Sequence, residues 1–394
     1  MRYATWAALC ISASLSGLVW GSPAQQTINP ATLTTAGNGS RWEIGALTGQ
    51  VDADFRRDAA VGVAAAGRYS TETAHPVLPF FAFSHALNEK VTLGFAFDTP
   101  NYFDLRWADH AYDVNVGGER LDLTKGGRLI AHRVGPAVAW RLNDHWSIGT
   151  RLFFQRVDAA EDSDLANISG HGTTYGLQLG ARYIGRGYLI GAAFTTRTNT
   201  DVRGAQTEVH PLVAASGALV AGDARADILL PARLHSNFAL ALRADLWAEL
   251  ELEWFDWSYV DERTIYQANG TIVNQGKNAR HYQDTINTRL GVKWQRLPHM
   301  ALYGAIGYEP TQVPERDVTP AQTFLDRTRL TLGSVWKLER GWTVDLMYQY
   351  AHGHTRTVEA TDQDNTATGA DTHVYEGTYR SRSHALRFSV TGAF

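Results

Sequence analysis

Several side chains in this sequence stand at spacings that could do chemistry. Glu249, Glu251 and Glu253 alternate with Ala248, Leu250, Leu252 and Trp254. At a period of two, all three carboxylates share one face of a strand. Arg289 and Lys293 share one face of the next alternating stretch, and Arg133, Arg151, Arg182, Arg327, Arg329 and Arg387 lie on the polar faces of others. Two uses are open for such a set. The charges can pair with one another, which avoids the cost of burying a lone ion. Alternatively one guanidinium, with Arg329 and Arg387 the candidates, can hold a substrate carboxylate through two parallel hydrogen bonds. His352 and His354 would put two imidazoles on one face if their strand continues, but no third ligand accompanies them, and no metal is expected. No Gly-x-Ser-x-Gly elbow occurs, so neither a catalytic residue nor a cofactor is expected.

The elements that carry these residues are strands. From Arg41 onward, short alternating runs recur with turn signals between them, fourteen in all by our reading. The last is the most telling. Leu386, Phe388, Val390 and Phe394 fall on one face, Arg387, Ser389 and Thr391 on the other, and the chain ends on that aromatic residue. In an outer-membrane barrel the apolar face meets lipid, the polar face lines the lumen, and the final strand pairs with the first. Short connections (143–145, 185–187, 243–245, 338–341) alternate with long ones (108–127, 199–224, 261–281, 309–325, 352–377), as periplasmic turns alternate with outer loops. An even strand count suits a single-chain barrel. The competing assignment, a large soluble β-protein, accounts less well for 12 Trp and 16 Tyr, which two interfacial girdles would use.

Residues 1–24 read as a secretory leader, with Arg2, an apolar run over 4–19 and small residues at 21–24. The single cysteine, Cys10, lies inside it, so no disulfide framework is expected. No later stretch is long and apolar enough for a membrane helix. A net charge of −4 without a basic block argues against nucleic acid as a partner. The expected division is leader 1–24, a short N-terminal segment 25–40, and one all-β transmembrane barrel over 41–394.

The ordered motifs resemble those of the FadL/TodX (OMPP1) family of outer-membrane transporters for long-chain fatty acids and other hydrophobic compounds. The similarity is carried by Asn29-Pro30-Ala31, the run 141–147 (Arg-Leu-Asn-Asp-His-Trp-Ser), Leu229-Leu230-Pro231 and the run 254–258 (Trp-Phe-Asp-Trp-Ser). It continues in Val313-Pro314-Glu315-Arg316, in Leu325-Asp326-Arg327 with Gly333, and in Tyr350-Ala351-His352-Gly353. The resemblance implies a fourteen-stranded barrel closed by an N-terminal hatch. It also implies passive uptake of fatty acids or aromatic hydrocarbons, and sideways release where the third strand kinks. Asn29, Pro30, Ala31, Pro100, Asn101, Tyr102 and Phe103 then belong to the substrate path. A monomer in contact with outer-membrane lipid is expected.

Three features qualify that expectation. Pro100 has no N–H to donate, so it either ends the third strand or breaks the wall there. Phe103 stands where relatives carry glycine, and its ring would narrow or gate an opening. Only a few residues separate the leader from Asn29, so the hatch is expected to be short or missing. Leu212, Val213, Leu219 and Val220 are unusually apolar for a loop, fitting an extracellular groove or a loop folded down over the lumen. A general diffusion porin is the second functional reading, and an outer-membrane acyl hydrolase the third.

Overall fold

The computed structural model describes residues 23–35, 39–217, 219–260, 264–269, 272–274, 281–320, 325–362 and 372–394. The expected leader therefore lies, up to residue 22, outside the described residues. The described strands close into a fourteen-stranded antiparallel barrel. In chain order they are β1 (Ser40–Arg57), β2 (Val77–Ala86), β3 (Val91–Arg106), β4 (Gly126–Arg141), β5 (Trp146–Asp162) and β6 (Asn167–Ile184). Next, β7 runs Tyr188–Thr195 and, after a break, Thr198–Thr207, while β8 runs Gly222–Leu230 and then Arg233–Arg243. The remainder are β9 (Leu246–Phe255), β10 (Thr285–Leu297), β11 (Met300–Glu309), β12 (Arg327–Lys337), β13 (Thr343–Val358) and β14 (Gly377–Ala393).

Closure is made by the stretch with the clearest alternation. β14 pairs with β1 from Arg41↔Ala393 to Arg56↔Thr378. Ser40 and Phe394 then exchange both backbone hydrogen bonds at 3.0 Å, so this seam has no frayed edge. Leu386 and Phe388 are each 51% exposed while Arg387 between them is 2% exposed, which fixes the polar face as the inner one. An outward arginine at the bilayer midplane would cost about 2–4 kcal/mol, so the alternation is itself a stability requirement. Aromatic residues mark the short-turn end, where Trp42 packs edge-on to Trp342 at 5.2 Å and Trp146 to Tyr183 at 5.0 Å. No described helix is long and apolar enough to cross a membrane.

Two segments outside the wall occupy the ends of the lumen. Residues Pro23–Thr27 and Pro30–Thr35 form 3₁₀ turns packed inside the barrel near its short-turn end, against β1 to β6. At the opposite end the long loops fold over the mouth into one apolar core that includes Phe55, Trp107, Tyr112, Trp257, Tyr375 and Tyr379. Arg57 ties this cap together. Its guanidinium donates to the carbonyls of Ala65 (3.0 Å), Ala111 (2.7 Å) and Val374 (2.6 Å), and stacks over Phe55.

One expected connection is shorter than the sequence suggests. The 199–224 stretch supplies the second half of β7 and the start of β8, leaving residues 208–221 between them. Only residues 163–166 connect β5 to β6.

Candidate functional site

The wall changes character at β3. Its pairing with β2 ends at Phe81↔Phe97. Immediately beyond, its register with β4 slips between Asp98 and Asn101, with Thr99 and Pro100 opposite the single residue His132. This is a β-bulge, and Pro100 sits in it because a residue without an N–H costs a bulge no ladder bond. From Asn101 to Arg106, β3 pairs only with β4. On its other edge the next described contact is the Thr71↔Trp107 bridge, where the Glu72 N–H donates to Arg106 O at 2.7 Å. Residues 73–80 and 98–105 thus face each other without ladder pairing among the described residues, and Pro76 and Pro79 lie on the facing edge. The wall has a gap here.

Both residues at the start of the bulge, Asp98 and Thr99, are buried, and Thr99 Oγ1 lies 2.9 Å from His132 Nδ1. Asp98 is bound by Arg133 at 2.5 Å and Arg151 at 2.7 Å, which anchors the displaced segment to β4 and β5. A pocket of the lumen adjoins the bulge, lined by Pro100, Asn101, Phe153, Leu230, Pro231 and Phe255 among others. Tyr102 pairs with the outward Ile130, yet it is only 7% exposed. It shares a buried apolar cluster with Leu47 of β1 and Leu78 of β2, on the far side of the gap. The ring expected to narrow the opening was that of Phe103. Phe103 instead joins the core of the cap, and its neighbour Tyr102 occupies the gap.

The N-terminal segment is present as a short plug. Asn29 Nδ2 donates to the carbonyls of Ala181 (3.1 Å) and Ala192 (3.2 Å), a cross-strand pair on β6 and β7, and Asn29 Oδ1 accepts from the Ala31 N–H. Gln26 does the same to Phe83 and Phe95 on β2 and β3. Gln178 Nε2 in turn donates to the carbonyls of Thr27 and Ile28. The wall leaves room for these amides: a Cβ at Gly180 would lie 2.1 Å from Asn29 Oδ1, and one at Gly94 2.3 Å from Gln26 Oε1. Asn29, Pro30 and Ala31 therefore sit against β5 to β7 and are not brought together with Pro100 to Phe103. That corrects their assignment to the opening. The triplet's amide and its following 3₁₀ turn lock the plug to the wall.

Most of the inner charges are paired. Glu251 meets Arg289, Glu253 meets Arg233 at 3.2 Å, and Arg329 meets Glu309 at 2.6 Å. Arg387 lies between Glu43 at 3.0 Å and Asp345 at 3.3 Å. Glu249 accepts from Asn237 at 3.3 Å. Both guanidiniums offered for a substrate carboxylate, Arg329 and Arg387, are thus engaged by acids of the wall. The acids Glu43 and Asp345 could have been found by extending strand parity to β1 and β13. So could Asp98, which follows Thr92, Gly94 and Ala96 on the inner face of β3; it is the residues after it that the bulge puts out of step.

The apolar loop is mostly turned inward. Val213, in the short helix Pro211–Ala215, and Leu219 are 7% and 8% exposed within the cap, so they do not line an open groove. Leu212 remains 40% exposed and rests on Gly117, while the Val220 N–H donates to Gln267. His352 and His354 are exposed, with ring centroids 6.3 Å apart. Elsewhere His110, Asp113 and Asp122 bring potential ligand atoms within 4.8 Å of one another in the cap hairpin. Their carboxylates already have donors. Arg120 binds Asp113, and the N–H groups of His110 and Tyr112 donate to Asp122 at 2.7 and 2.8 Å. Burial, aided by the nearby Asp113 and Asp164 carboxylates, pushes the Asp122 carboxyl up to about 6.

The model of the outer membrane protein transport protein family (OMPP1/FadL/TodX) matches residues 16–394. Among solved structures, a Pseudomonas aeruginosa FadL homologue is similar with a TM-score of 0.78 at 13% identity, over 96% of each chain. The P. putida toluene transporter TodX gives 0.70 at 14% identity, over 95% of this chain and 94% of that one. The Ralstonia pickettii toluene transporter TbuX gives 0.66 at 15% identity, over 95% and 94%. At such identities the likeness shows the fold. No curated protein sequence matches the chain.

Proposed function

This chain belongs to the OMPP1/FadL/TodX family of outer-membrane transport proteins, and from that membership we propose that it takes up a hydrophobic small molecule by passive diffusion. The substrate is a long-chain fatty acid or an aromatic hydrocarbon, the protein acts as a monomer, and no reaction is catalysed. Release is sideways into the bilayer, between β2 and β3.

The observation that carries this reading is the unpaired stretch of wall beside Pro100, backed on its inner side by the cavity at Asn101, Phe153 and Leu230. Moving an acyl chain from water into an apolar site is worth about 0.8 kcal/mol per CH₂, so dilute ligand can be captured without energy input. Leaving through the wall keeps it from being rehydrated. The packed cap and the docked plug favour this route over a continuous aqueous channel from mouth to mouth.

The test is uptake of labelled oleate and of toluene by cells with and without the protein. Faster entry of at least one is expected. Equal rates for both would remove the proposal.

A further inference from the structure

We infer that Arg182, at the edge of the plug, is the residue that receives the carboxylate of an amphiphilic monoanion in the lumen. The inference rests on the uptake reading above and narrows its substrate class.

Arg182 differs from six other inward arginines, which meet acids, and from Arg57 and Arg141, which donate to backbone carbonyls. Arg133, Arg151, Arg233, Arg289, Arg329 and Arg387 each face a carboxylate within 3.3 Å. Arg182 is 6% exposed, its Nη1 is buried without a hydrogen-bond partner, and no described acid pairs with it. A buried guanidinium without a counter-ion is costly, whereas one that meets a carboxylate gains a charge-assisted, two-pronged bond. The sequence explains the missing partner. On the neighbouring strands, the residues in register with Arg182 are Ser147 and Gly191, neither of them an acid.

The space around it suits an amphiphile. Arg182 lines a pocket, open to the lumen, between the plug and β7 to β9. Ile28 and Leu189 supply apolar surface, and Thr32 and Asn237 supply polar groups. Glu249 and Glu251 also line it, and they set the polarity of the ligand. Glu251 is held by Arg289 and lies 4.0 Å from His235, while Glu249 takes the Asn237 amide. A single negative charge is therefore accepted at the Arg182 end, and a second one reaching towards the two glutamates is repelled. The fitting ligand is a monocarboxylate with an apolar body.

The experiment uses the full chain in phosphatidylcholine nanodiscs, with empty nanodiscs subtracted, and calorimetric titration of laurate, dodecanol, dodecanedioate and acetate. Laurate should bind more tightly than the other three. Arg182→Gln should weaken laurate by about tenfold or more, the loss expected for one charged hydrogen-bonding partner, while leaving dodecanol unchanged. Arg182→Lys should recover most of the difference. Retention of heat-modifiable gel migration establishes that each variant is a folded barrel. Laurate binding unchanged in Arg182→Gln, or equal losses for laurate and dodecanol, overturns the assignment. So does acetate binding as tightly as laurate, since the apolar body would then contribute nothing, and so does a wild-type protein that binds no laurate. Toluene entry into cells carrying the wild-type protein reports separately on the uptake reading.

Discussion

Asp98 receives two guanidiniums at the point where β3 changes step, and that makes it the most exacting single position in the wall. Asp98→Asn leaves Arg133 and Arg151 buried with no full counter-charge. Removing one member of a buried ionic set costs about 3–5 kcal/mol, so the denaturant midpoint of the folded barrel should fall sharply while Asp52→Asn, at an exposed pair with Arg382, should barely move it. Asn29 is comparable for the plug. Asn29→Ala deletes two bonds to the wall and the acceptor for Ala31, so accessibility of an introduced Thr32→Cys to a water-soluble maleimide should rise severalfold. Single positions were legible in the sequence where parity held. Glu251, Arg289 and Arg387 were placed on the inner face by spacing alone. Their partners sit on adjacent strands, Arg289 directly opposite Glu251 and Glu43 and Asp345 on the two strands flanking Arg387, so which inward residues meet depends on the register between strands, which spacing within one strand does not give.

At the level of elements, the lipid-facing part of every strand was readable, and the parts above it were not. The second half of β7, T-N-T-D-V-R-G-A-Q-T, lacks outward apolar residues, and Asp201 and Arg203 pair with each other on its outer face. Above the hydrocarbon an outward side chain meets water, so the ladder continues after the hydrophobic signal has stopped. β3 carries the opposite lesson, since its proline announced a break whose form, a bulge followed by an unpaired edge, required the neighbours to be seen. Tyr102→Ala removes the ring that joins β3 to the Leu47–Leu78 cluster. Uptake of the transported hydrocarbon should accelerate severalfold in that variant, whereas Phe103→Ala should loosen the cap and leave the rate near wild type. The cap hairpin has its own pH dependence. Burial favours the neutral form of Asp122, so its contribution is fullest below the ordinary value of 3.8 and declines as pH rises through about 6. Amide protection in residues 110–122, taken relative to the intrinsic exchange rate at each pH, should be greater at pH 5 than at pH 7.5, and Asp122→Asn should abolish that difference.

For the whole molecule, the plug stands near the short-turn end and the loops fold over the mouth. In planar bilayers the protein should be nearly silent to ions. Deletion of residues 25–35 should produce a measurable current, and a steady large current from the intact chain would favour a diffusion porin instead. The barrel, its strand number and its sidedness followed from alternation. The plug's docking did not, because it relies on side-chain amides reaching backbone carbonyls beside glycines, a pattern that carries no hydrophobic period. Arg57 adds a last consequence. The three carbonyls it gathers, Ala65, Ala111 and Val374, come from stretches of chain far apart in sequence, and they converge on one cation. Unfastening any of them exposes the same charge, so these three pieces of covering should come away together, as a hinged shutter does, and seldom one slat at a time.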